Sequence, residues 1–129
     1  MQKTLLKDIY PVFSLRLEKR AEGLNAIDQV LERLKHDIEE DEVARLIGEF
    51  DHLAHTKSLP GGKADPGMIA AANLVFCFGK ELPQPQMLAI RPRAIGVAEY
   101  ADHFVVSYME APMPAANEAM HKWVKALAA

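Results

Sequence analysis

The hydrophobic positions of the first third of the chain follow two different periods. In residues 9–18, Phe13, Leu15 and Leu17 alternate with polar side chains, which is the two-residue period of a half-buried strand. In residues 23–38, apolar side chains recur every three to four positions, which is typical of an amphipathic helix. The pattern therefore predicts a strand followed by a helix.

Residues 43–54 fit a helical pattern as well. The apolar positions of this segment are Val43, Leu46, Ile47, Phe50 and Leu53. Their spacing favours one face of a helix, and periodicity alone does not exclude a strand.

The second half of the chain contains shorter elements separated by prolines and glycines. Residues 59–67 include two prolines and three glycines, which predicts a loop. Residues 70–79 contain a continuous apolar run, which favours a strand buried on both faces. A turn or short helix is expected near residues 86–89, a β-hairpin within residues 93–109, and a helix in residues 115–129 with Met120 and Trp123 on its apolar face.

This order of elements predicts an α+β fold. We expect a two-layer sandwich in which a mainly antiparallel sheet of about five strands carries two main helices on one face. A length of 129 residues fits a single domain, residues 1–129.

Composition and charge narrow the classes of partner. The formal net charge is −3, so nucleic acid is an unlikely partner. No apolar run approaches the roughly 20 residues that span a bilayer, so no membrane partner is expected. Cys77 is the single cysteine and cannot form an intrachain disulfide, which favours the cytoplasm.

Several short motifs occur in a defined order between residues 43 and 112. They are Ile47-Gly48-Glu49-Phe50-Asp51-His52, Leu74-Val75-Phe76-Cys77-Phe78-Gly79, Pro92-Arg93, Val97-Ala98-Glu99 and Val106-Ser107-Tyr108. This order resembles an uncharacterised bacterial domain family, the domain-of-unknown-function group 302. The resemblance implies a strand over residues 43–52, and it implies no particular enzymatic activity.

The densest cluster of titratable residues is Asp51, His52 and His55. Histidines can ligate a metal, so His52 and His55 are candidate metal ligands. Cys77 is a candidate reactive thiol, although an apolar strand tends to keep a thiol inert. These residues support one hypothesis, a metal- or thiol-dependent enzyme.

No catalytic constellation is complete, which favours a second hypothesis. A small binding or accessory domain would hold a small molecule or a protein partner near Asp51, His52 and Glu99. It would form a homo-oligomer through a sheet edge or through the methionine-rich end of the last helix. Whether the protein is an enzyme, and which cofactor it would use, stay open at this point.

Overall fold

The computed structural model describes all 129 residues and shows one antiparallel sheet with three α-helices. The elements are β1 (Gln2–Leu6), β2 (Tyr10–Glu18), α1 (Ile27–Glu40), β3 (Ala44–Asp51), α2 (His52–Ser58), β4 (Ala70–Phe78), a 3-10 helix (Pro85–Ala89), β5 (Arg93–Glu99), β6 (His103–Met109) and α3 (Pro114–Ala126). The strands lie in the order β1-β2-β6-β5-β4-β3. The α+β class is confirmed, whereas the sheet has six strands and not about five, and three α-helices occur and not two.

The additional strand is β1, which has no burial pattern because all five of its residues are exposed. It pairs with β2 across a tight turn in which Lys7 and Asp8 both adopt positive φ values, 53° and 63°. A strand that buries neither face has no alternation of apolar and polar residues, so periodicity could not reveal it.

The segment over residues 43–54 is a strand followed at once by a helix. Strand β3 pairs with β4 along its length, and the register shifts between Leu46 and Gly48, where Ile47 is the extra residue of a bulge. A bulge moves the following side chains to the opposite face. The bulge and the turn into α2 together explain why these apolar residues show helical spacing although residues 44–51 are extended.

One face of the sheet carries the core beneath α1 and α3. On β4, Ala72, Leu74, Phe76 and Phe78 point into this core. The buried faces of the two helices pack on them, with Leu34 and Ile38 from α1 and Met120 and Trp123 from α3. Met120, at the methionine-rich end of the last helix, is therefore a core residue and is fully buried.

The opposite face, which we call the open face, is only half-covered. The alternate β4 residues Ala71, Asn73, Val75 and Cys77 lie there and are half-buried. The expectation that this strand is buried on both faces is therefore wrong, because only the core face has a full helical layer. None of the helices is long and apolar enough to cross a membrane.

Candidate functional site

A cavity of about 450 Å³ lies on the open face, beneath α2 and the loop formed by residues 59–69. Its floor is the middle of β4, β5 and β6. Helix α2 contributes one wall through His52 and Thr56, and the loop contributes a second wall through Lys63 and Asp65. Sixteen residues line this cavity, and nine of them are hydrophobic.

Two rows of side chains run across the strands of the cavity floor. In the polar row, Asn73 of β4 pairs with Gly96 of β5, which pairs with Ser107 of β6. In the apolar row, Ala71 pairs with Ala98, which pairs with Val105. Because side chains on one face alternate with a period of two, these rows lie side by side.

The polar row is anchored by the start of α2. The carboxylate of Asp51 accepts a hydrogen bond from the backbone N–H of Ala54 at 3.0 Å, so Asp51 is the N-cap of the helix. His52 is therefore the first helical residue, and its Nδ1 lies 2.7 Å from Oδ1 of Asn73. A carboxamide oxygen only accepts, so Nδ1 of His52 carries the proton of this bond.

This bond fixes the other end of the Asn73 carboxamide. A Cβ built on Gly96 would lie 3.5 Å from Nδ2 of Asn73 and 3.9 Å from Oγ of Ser107. Neither of these two atoms donates a hydrogen bond to another protein atom. Two hydrogen-bond donors, Asn73 Nδ2 and Ser107 Oγ, therefore lie close to Gly96, where no side chain covers the backbone.

The loop that forms the second wall is held at several points. The hydroxyl of Tyr100 donates to Oδ2 of Asp65 at 2.7 Å, and the N–H of Ile69 donates to the carbonyl oxygen of Glu99 at 2.7 Å. At Gly62 any Cβ would collide with the carbonyl oxygen of Thr56, so only glycine allows the loop to approach α2 this closely. The hydrogen bond to Asp65 also raises the pKa of Tyr100.

The two charged side chains that line the cavity, Lys63 and Asp65, differ in their contacts. Asp65 is engaged by Tyr100, whereas Lys63 forms no ion pair. The rim therefore carries one positive and one negative side chain, and the positive one, Lys63, forms no ion pair.

Glu99 lies on the core face, away from His52. Its Oε2 forms an ion pair with Nζ of Lys19 at 2.7 Å, and its Oε1 accepts from the N–H of Ile27 at 3.0 Å. Glu99 thus caps the first turn of α1 from a neighbouring strand. His52 lines the cavity, and Asp51 caps the helix beside it without lining the cavity, whereas Glu99 lies apart from both on the core face.

The candidate metal ligands and the thiol are separated from one another. The rings of His52 and His55 lie 6.2 Å apart, and both pack on Phe50 at 5.3 Å. Cys77 is half-buried on the open face, opposite Arg45, and does not line the cavity. No group of three or more His, Cys, Asp or Glu side chains comes together.

Sequence reasoning missed five residues of the cavity: Asn73, Gly96, Ser107, Lys63 and Tyr100. Strand alternation could have placed the first three on a common face. Each of them occupies the face of its strand opposite the large apolar residues. Strand pairing was required to show that they form one row.

The chain belongs to a family of unknown function, DUF6858, whose model matches residues 1–129. The resemblance to group 302 is therefore wrong, since that is a different family. The motifs that carried it lie mainly within strands β3, β4, β5 and β6. No curated protein and no solved structure matches the chain.

Proposed function

We propose that this member of the DUF6858 family is a cytoplasmic binding domain that holds a small organic molecule in the cavity of the open face. The observation that carries the proposal is the convergence of Asn73 Nδ2 and Ser107 Oγ above Gly96. Polar atoms at the floor of a pocket fix the orientation of a ligand. The half-buried free thiol of Cys77 suits a reducing compartment.

The size and lining of the cavity support a small molecule as its occupant. Pockets for small ligands span roughly 300–1,000 Å³ and combine apolar walls with a few polar groups. The cavity of about 450 Å³ falls in this range, and nine of its 16 lining residues are hydrophobic. Its apolar row would receive the body of the ligand, and its polar row would receive a functional group.

Gly96 is not required by packing within the protein. A Cβ at this position would meet its neighbours at 3.5–3.9 Å, which is ordinary van der Waals contact. Glycine within a strand destabilises a protein by roughly 0.5–1 kcal/mol relative to alanine. A glycine here leaves the cavity floor open, so that a ligand atom can approach the backbone.

An NMR titration with small organic acids, amides, alcohols and amines tests the proposal. We expect binders to shift the backbone amides of residues 71–73, 96–98 and 105–107. Gly96→Ala should remove these shifts, because its methyl group occupies the ligand position. Gly48→Ala is the matched control, because a Cβ at Gly48 of β3 would meet nothing within 4 Å. The proposal fails if no compound shifts these amides, or if Gly96→Ala binds as well as wild type.

A second proposal concerns oligomerisation through β1. This strand is one of the two edges of the sheet, the other being β3, and its Leu5 and Leu6 are 57% and 56% exposed. Unpaired edges bind further strands. Pairing with a second copy, antiparallel about Thr4, places Lys3 opposite Leu5 and Gln2 opposite Leu6, so no like charges meet. We therefore propose a symmetric homodimer with a continuous 12-stranded sheet.

Sedimentation equilibrium tests this dimer. Leu5→Lys would place two lysines opposite each other at both ends of the pairing and should shift the protein to monomer. Leu88→Lys is the control, because Leu88 is 64% exposed and lies outside β1. A monomeric wild type, or a Leu5→Lys variant that dimerises as wild type does, contradicts the proposal.

A further inference from the structure

The chemistry of the polar row restricts the functional group that it can receive. The oxygen of the Asn73 carboxamide is already used by His52, so the group that faces Gly96 is the NH₂, which only donates. The hydroxyl of Ser107 can also donate. A ligand atom above Gly96 would therefore meet two donors, which selects a hydrogen-bond acceptor.

An unpaired cation on the rim, Lys63, can form an ion pair with an anionic ligand. Lys63 forms no ion pair, and Asp65, the only carboxylate in the cavity lining, accepts a hydrogen bond from Tyr100. A carboxylate accepts several hydrogen bonds through its two oxygens, and charged hydrogen bonds are shorter and stronger than neutral ones. A carboxylate therefore satisfies both donors of the floor and faces the free cation of the rim.

The apolar row restricts the shape of the rest of the ligand. Ala71, Ala98 and Val105 form a strip in which no side chain is larger than valine. Met68 and Tyr100 border this part of the cavity. A strip of small residues beside a thioether and an aromatic ring suits a flat ring.

We infer that the ligand is an aromatic carboxylate, with its carboxylate above Gly96 and its ring on the strip of Ala71, Ala98 and Val105. This inference rests on the proposed function and names the chemical class that the same cavity selects. The Asn73 and Ser107 donors orient the carboxylate, and Lys63 supplies the charge that separates an acid from its amide.

Three probes of one size and different charge test the inference: benzoate, benzamide and benzylamine. Their affinities are measured by NMR titration at pH 7.5, with shifts followed at residues 71–73, 96–98 and 105–107. We expect benzoate to bind best, benzamide more weakly, and benzylamine at least tenfold more weakly than benzoate. Asn73→Leu, which removes the donor at similar size, should weaken both benzoate and benzamide.

Lys63→Met separates the contribution of charge from that of shape. We expect it to weaken benzoate about twofold to fivefold, as for a solvent-exposed ion pair, and to leave benzamide unchanged. Lys57→Met is the matched control, because Lys57 is an exposed lysine of α2 outside the cavity lining. Equal losses for benzoate in both lysine variants would overturn the role of Lys63 and with it the selection of an acid.

The remaining outcomes distinguish a failure of the proposed ligand class from a failure of the proposed binding in the cavity. If benzylamine or benzamide shifts the cavity amides and benzoate does not, the carboxylate class is overturned while binding in the cavity stands. If benzoate shifts only amides outside the cavity, the class is overturned as well. If no compound of any class shifts the cavity amides, both the ligand class and the proposed function are overturned.

Discussion

His52 and Asn73 join the end of one strand to the open face of its neighbour through a bond of 2.7 Å between Nδ1 and Oδ1. The bond depends on an abrupt change of structure at Asp51, which ends β3 and caps α2. Side chains of consecutive strand residues point to opposite faces, but the first residue of a helix is released from that alternation. His52 can therefore turn over the sheet and orient the carboxamide of Asn73.

Replacing His52 by alanine should weaken the ligand without unfolding the protein. Without the imidazole, the Asn73 carboxamide can rotate and present its oxygen to the ligand. The loss of one oriented hydrogen bond of about 1 kcal/mol corresponds to a reduction of roughly fivefold in benzoate affinity. The thermal midpoint should change little, because His52 is exposed. Isothermal titration checks the affinity, with His36→Ala as the control at an exposed histidine of α1; equal affinities in the two variants would contradict the orienting role.

Replacing Tyr100 by phenylalanine should loosen the loop wall. The variant removes the hydroxyl that bonds Asp65 and keeps the ring that stacks on His103 with centroids 4.8 Å apart. Amide hydrogen exchange in residues 62–68 should accelerate, because fewer bonds hold the loop closed. The global unfolding free energy should fall by less than about 1 kcal/mol, as expected for an exposed hydrogen bond. Unchanged exchange in this loop would show that Tyr100 does not hold it.

Replacing Glu99 by alanine should destabilise the protein strongly. Glu99 and Lys19 are only 12% and 19% exposed in their side chains, so the variant leaves a nearly buried cation and an uncapped N–H of Ile27. Loss of one partner of a buried pair costs about 3 kcal/mol. Urea denaturation measures the effect.

Two comparisons make the prediction for Glu99 specific. Glu110→Ala breaks the more exposed pair with Lys3 and should cost less than about 1 kcal/mol. Glu99→Gln retains an acceptor for Ile27 and should lie between the two. Benzoate affinity of folded Glu99→Gln should equal that of wild type, since Glu99 lies on the core face. A loss of affinity would place Glu99 in the ligand site.

His121 should make stability depend on pH in the weakly acidic range. Burial against β6 lowers the pKa of His121 below its ordinary value of 6.5, and nearby Lys125 lowers it further. Its Nδ1 bonds the hydroxyl of Tyr108, and Phe13 packs edge-on against its ring at 4.5 Å. The unfolded chain therefore binds a proton at a higher pH than the folded chain, so stability is full above pH 6.5 and falls as the pH drops towards the folded pKa.

Comparing the pH dependence of stability of wild type with that of His121→Gln isolates the contribution of His121. Urea denaturation at pH 7.5, 6.5 and 5.5 should show a steeper loss of stability for wild type than for His121→Gln, which cannot titrate. His36→Gln, on the exposed face of α1, should retain the wild-type slope. Parallel slopes for wild type and His121→Gln would contradict the lowered pKa.

Elements that bury one face were predictable from the sequence. Strand β2 shows alternation at Phe13, Leu15 and Leu17, and helix α1 shows a buried stripe that includes Leu34 and Ile38, because burial selects apolar residues with the period of the element. Strand β1 buries neither face, and the bulge at Ile47 changes the phase of β3. Neither feature could therefore be predicted from the period of the hydrophobic residues.

The candidate site was predictable in part. The sequence predicts a polar pair, Asp51 and His52, at a strand end; His52 lines the cavity, and Asp51 caps α2 without lining it. Their partner Asn73 and the floor residues Gly96 and Ser107 lie far apart in the chain, and only the register of β4, β5 and β6 aligns them. Glu99 occupies the opposite parity on β5, so strand alternation separates it from Gly96.

A crystal structure of the protein with its tightest aromatic carboxylate is the most direct measurement of the central claim. We predict electron density above Gly96, with a carboxylate oxygen about 3 Å from both Asn73 Nδ2 and Ser107 Oγ, and the ring over Ala71 and Ala98. An empty cavity at saturating ligand, or a ligand bound elsewhere on the sheet, would contradict it.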